Sequence, residues 1–191
     1  YNVLGLLEEQ NIKILEVDED ESFSGMSTNV DERIPVIVLN RNKNIPHDRL
    51  RFTALHELGH LVLNIQNYPE KEQERFCHAF AGAMLIPKEK MFEELGKHRH
   101  QIFMKELMFI KDNYGISMQA LIHRAKDLGI ISQHYHKYFM IRFNQKGYRR
   151  EEPYGYKGAE HSHRFLQLVI RGIAEEIIST SKGASLYNEK L

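Results

Sequence analysis

His56, Glu57 and His60 stand in the order His-Glu-Leu-Gly-His, inside the mostly apolar stretch Arg51 to Leu63. On a helix, His56 and His60 lie one turn apart on the same face. Both imidazoles then reach one cation, and Glu57 is turned just enough to reach a water held there. The chemistry this pattern points to is metal-assisted hydrolysis. A competing reading makes the stretch a buried helix with two hydrogen-bonded histidines. It explains less, because Phe52, Leu55, Leu58, Leu61 and Val62 already supply apolar contacts. Two ionisable rings flanking a carboxylate in such a setting need a partner.

A catalytic zinc takes three protein ligands, so a third donor is required, usually from a following helix. After the turn Asn67-Tyr68-Pro69, residues 70–86 read as helix and Pro87 stops it. Glu74 and His78 lie one turn apart on one face of that helix, and either completes the set. The small residues Ala79, Ala81, Gly82 and Ala83 predict close approach to another backbone.

The run Arg51-Phe-Thr-Ala-Leu-His-Glu-Leu-Gly-His60, followed by Glu74-Arg-Phe-Cys-His-Ala-Phe-Ala81 and Leu85-Ile-Pro87, resembles the ImmA/IrrE family of bacterial metallopeptidases. Val36-Ile-Val-Leu-Asn40 before it, and Gly115 to Arg124 with Asp127-Leu-Gly-Ile130 after it, extend the likeness over most of the chain. The resemblance implies that Glu74 is the third ligand. Cys77 and His78 stand where the family more often has Ala and Asn, which leaves His78 a fourth contact or a supporting role. It also implies a selective endopeptidase that cuts a transcriptional repressor and releases stress, phage-related or mobile-element genes. Family members often carry a further DNA-binding domain.

The elements needed to position these residues suggest an α+β fold. Residues 1–100 are expected to form a zincin-like helical core with a small antiparallel sheet. Residues 101–191 are expected to form a helical region with a helix-turn-helix-like segment packed on that core. Residues 2–10 read as helix, 12–17 as a strand, 18–21 as an acidic solvated loop and 25–33 as a turn region. Ile34 to Leu39 reads as a β-branched strand, with Pro35 favouring a sheet edge. In zincins generally such an edge receives the substrate as an added strand.

Phe103, Leu107, Phe109 and Ile110 mark one helix that ends at Gly115. Ser117 caps a second helix bearing Leu121, Ile122 and Leu128. The basic residues that follow are scattered rather than banded, and these apolar positions suit docking better than groove entry. The segment is therefore expected to be architectural, with DNA binding weak. Residues 163–178 read as an amphipathic helix that packs on the core or on a second copy, with Phe165, Leu168, Val169, Ile173 and Ile177 on one face. His161 and His163 read as solvated.

The 191 residues carry 26 basic and 26 acidic side chains, a balance that argues against a protein coating nucleic acid. No apolar run approaches a membrane span. One cysteine, Cys77, forms no internal disulfide, in keeping with a reducing, cytoplasmic location. The chain opens at Tyr1 rather than Met and reads as trimmed, so the absence of a signal peptide carries little weight.

The mechanism expected is a metallo-endopeptidase with zinc, or alternatively manganese, on His56, His60 and Glu74, and with Glu57 as the base for the metal-held water. The oxyanion needs a further donor, for which His78, His123 and Arg124 are the candidates. The rival is a non-catalytic regulatory or antitoxin-like module binding a protein or DNA through residues 103–150. The intact Glu57 speaks against it.

Overall fold

The computed structural model describes residues 2–42 and 44–187. Helix α1 (Val3–Glu9) leads into strands β1 (Lys13–Val17), β2 (Gly25–Val30) and β3 (Ile34–Asn40). Helices α2 (His47–Val62), α3 (Glu70–Leu85) and α4 (Lys88–Leu95) follow. Then come α5 (Met104–Tyr114), α6 (Met118–Asp127), α7 (Gln133–Gln145), α8 (Arg164–Ala174) and α9 (Thr180–Tyr187). With about 54% helix and 10% strand, the fold is α+β.

The sheet differs from expectation in three ways. Its order is β1-β3-β2, so β3 is the middle strand rather than an edge. Val38 faces Leu15 of β1 across a parallel pairing and Met26 of β2 across an antiparallel one, so the sheet is mixed rather than wholly antiparallel. Residues 25–30, expected to turn, form the edge strand β2. The physical reason for the central place of β3 is its apolar run: Val36, Ile37 and Leu39 are all buried, which an edge strand with one wet face would not require. Pro35, which has no N–H to give, sits at the strand's start opposite Asn29, where the missing bond costs least.

Helix α2 buries Leu50, Ala54, Leu55 and Leu58 in a core that continues through Ile37 and Leu39 to Leu107, Leu121 and Ile130. Helix α3 lies against α2 where Gly59 meets Cys77. A Cβ on Gly59 would stand 3.2 Å from both the Cα and the Sγ of Cys77, so glycine at this position lets the two backbones approach. The close contact thus falls at Gly59 and Cys77, whereas Ala79 and Ala83, two of the small residues expected to make it, are exposed.

Gly115 ends α5 in the left-handed region at φ 62°, and the Ser117 hydroxyl accepts a bond from the Ala120 N–H at the start of α6. Leu121 and Ile122 are fully buried, but Phe109, expected to dock, is 59% exposed. Helix α8 stops at Ala174, short of the expected end, and Glu176 takes a positive φ of 56°. Of the face expected to be buried, Val169 is, while Phe165, Leu168 and Ile177 stay exposed. The helix packs on α9, with Gly183 against Ile173 and Val169.

Two buried ionic clusters tie residues 152–160 to the first half of α2. Lys111 Nζ lies 2.9 Å from Asp48 and 2.7 Å from Glu152. Arg51 lies 3.1 Å from Glu160 and donates to the Tyr156 hydroxyl at 2.6 Å. Glu160 in turn accepts from the Leu4 N–H at 3.1 Å. Among the described residues no helix is long and apolar enough to cross a membrane.

Candidate metal centre

The i, i+4 spacing on α2 puts the rings of His56 and His60 on one face, with Nε2 atoms 3.2 Å apart. From α3, Glu74 reaches both, its two oxygens 3.2 Å from His56 Nε2 and 3.1 Å from His60 Nε2. For bonds of 2.0–2.1 Å, neighbouring ligands of a tetrahedral ion stand about 3.3–3.4 Å apart. Each of these three contacts is therefore close to one edge of such a tetrahedron, with Glu74 turning a different oxygen to each imidazole. Burial and the nearby His78 charge push the His56 imidazole down to about 4, so near neutral pH it offers a lone pair rather than a cation to Glu74. The close His56–Glu74 approach is then better read as a pair of metal donors than as an ion pair. Two histidines and a carboxylate in this arrangement fit a divalent ion of the zinc type.

Glu57, one residue past His56, is buried on the same helix. Its Oε2 accepts a 2.8 Å hydrogen bond from the Ser27 hydroxyl of β2. Burial raises the Glu57 pKa, and the Ser27 bond offsets part of that rise by favouring the carboxylate. A carboxyl poised above its ordinary range is suited to taking and returning a proton. Ser27 escaped sequence reasoning because residues 25–33 carry the Gly and polar content of a turn. Thr28 and Val30, β-branched and two residues apart, were the only hint of a strand.

His78 lies one turn beyond Glu74, its ring 4.5 Å from that of His56 and 5.7 Å from that of Phe52. Ligand atoms of His56, Glu74 and His78 fall within 4.8 Å of one another, a set that shares His56 and Glu74 with the first. The other oxyanion candidates are differently engaged. His123 Nδ1 pairs with His136 Nε2 at 3.0 Å. Arg124 donates from Nε to the Ile86 carbonyl at 2.7 Å, fastening α6 to the end of α3. His161 and His163 stack with ring centres 5.4 Å apart, both exposed as expected.

The sequence model of the peptidase M78 family, described as the IrrE N-terminal-like domain, matches residues 7–126. That span holds the whole sheet, both donor-bearing helices, α5 and all of α6 but its last residue. Among curated proteins, none matches the chain.

Proposed function

This chain belongs to the peptidase M78 family, and we propose that it is a zinc-dependent endopeptidase in which His56, His60 and Glu74 hold the ion and Glu57 is the general base. The observation that carries the assignment is the set of contacts among the His56, His60 and Glu74 donors at 3.1–3.2 Å with the Glu57 carboxylate beside it. When bound, the ion supplies Lewis acidity: it polarises a carbonyl and brings the pKa of a water towards ~7. Manganese is the alternative ion.

Glu57 takes a proton from the attacking water on one oxygen and returns it to the amine that leaves, so the carboxylate ends each cycle as it began. The Ser27 hydroxyl holds the other oxygen at 2.8 Å, fixing the carboxylate's orientation and favouring its ionised form. Substrate then lies along β2 rather than β3. β2 is one of the sheet's two edges, and its Ser27 already touches Glu57, so backbone bonds to a peptide there would bring its carbonyl to the donors. The resemblance to ImmA/IrrE proteins extends the reading to a cytoplasmic enzyme whose substrate is a DNA-binding repressor.

The test is cleavage of candidate repressors by the zinc-loaded chain and by its Glu57→Gln variant, with metal content measured on both. The expected result is cleavage by the first only, at equal zinc content. Equal cleavage by both would remove Glu57 from the mechanism.

A further inference from the structure

Resting on the three-donor reading above, we propose that His78 is a fourth, displaceable donor that closes the metal centre in the resting protein. Helix α2 offers His56 and His60, and α3 offers Glu74 and His78. Each pair is spaced i, i+4, and the two helices are drawn together at Gly59 and Cys77. Two such pairs facing each other give four protein donors, the number that fills a tetrahedral site, whereas a catalytic site keeps one position open.

His78 is placed to be that fourth donor without being locked there. Its ring lies against His56 at 4.5 Å, and its ligand atom is within 4.8 Å of those of His56 and Glu74. A tetrahedral edge is about 3.3–3.4 Å, a separation that an ordinary change of side-chain rotamer lets His78 adopt. Among the described residues His78 makes no hydrogen bond that would resist the swing, and the residue is exposed. Cys77, its neighbour, is no competitor. It is fully buried at the contact between the two helices, packed against Gly59. In the closed state four side chains occupy the ion and hydrolysis is off. Displacement of His78 by an incoming ligand opens the position that turnover uses, and the fraction of open protein scales the apparent affinity for that ligand.

The experiment compares the full chain with His78→Ala and His56→Ala. Zinc affinity is measured by chelator competition, and the number of coordinated imidazoles by X-ray absorption. The cobalt-substituted proteins are titrated with acetohydroxamate, read by absorption. The wild type is expected to show three imidazoles and His78→Ala two. Zinc affinity should fall about tenfold or more in His78→Ala, while hydroxamate binds it at least about tenfold more tightly because no side chain has to be displaced. Two imidazoles in the wild type, or unchanged zinc and hydroxamate affinity in His78→Ala, overturns the fourth-donor proposal. If His56→Ala loses zinc in that case, the three-donor reading stands. Zinc retention by His56→Ala overturns both.

Discussion

Two histidine pairs in this protein have almost the same nitrogen–nitrogen separation, 3.2 Å for His56 and His60 and 3.0 Å for His123 and His136, yet they are different objects. In the second pair Nε2 meets Nδ1, and among the described residues no carboxylate bridges the two nitrogens. One ring donates, the other accepts, and the contact completes itself as a hydrogen bond. In the first pair two Nε2 atoms face each other and both face Glu74. If both carried protons there to reach the carboxylate, the two N–H groups would crowd each other. A cation between the three relieves that. The lesson is that proximity of histidines is weak evidence for a metal, and the bridging carboxylate makes the difference.

The comparison breaks most plainly by removing donors. His56→Ala, His60→Ala and Glu74→Ala should each lower zinc affinity by more than the ~10–100-fold that loss of a merely supporting group costs, whereas His123→Ala should leave zinc stoichiometry unchanged, by metal analysis and chelator competition. Loss of zinc from His123→Ala would erase the distinction. Next in size, Glu57→Gln should keep the ion and lower the hydrolysis rate by about 10²–10⁴-fold.

A smaller effect concerns stability in acid. Burial lowers the pKa of both His123 and His136. A histidine whose folded pKa is depressed binds its proton more readily in the unfolded chain. The stability these rings contribute is therefore full above the unfolded value of about 6.5, and is lost as pH falls from there towards the lower folded values. Denaturant midpoints of the metal-free chain at pH 7.5 and 5.5 should show this loss, and His136→Gln, with one titrating ring fewer, should show less of it. The smallest change is expected from Ser27→Ala. Without the bond that favours its carboxylate, Glu57 rises further, so the acid limb of the pH–rate profile moves to higher pH with a few-fold loss of activity below neutrality. A profile that does not move would leave Ser27 as a packing contact.

Much of this was readable in the sequence where a local rule and a tertiary demand agree. The His-Glu-x-x-His helix, the stop at Pro87, the left-handed Gly115 and the Ser117 cap each have a short-range cause that the fold leaves in place. β2 was hidden because nearly all of its side chains face solvent, so no buried alternation marks it and its pairing with β3 alone makes it a strand. For β3, Pro35 spoke for an edge and the buried Val36, Ile37 and Leu39 for the middle. The apolar run prevailed because its burial outweighs one missing ladder bond at a strand end. The extent of α8 was misjudged because amphipathic spacing describes a face without saying where backbone geometry ends the helix.

The ionic clusters at Lys111 and Arg51 bear on where this protein could be cut. Glu152 and Glu160 both lie beyond residue 126, where the family match ends, yet they face buried cations on and beside the helix that carries His56 and His60, Arg51 of α2 and Lys111 of α5. A fragment of residues 7–126 would lack a carboxylate of each cluster: Lys111 would keep Asp48 alone, and loss of the Arg51–Glu160 pair would cost about 3–5 kcal/mol, against a total stability of ~5–15 kcal/mol for a typical domain. The stretch that recurs across relatives is thus shorter than the stretch that must fold together here. A fragment tailored to the family's borders would be expected to emerge poorly folded, with its chemistry intact on paper and its scaffold missing two counter-charges.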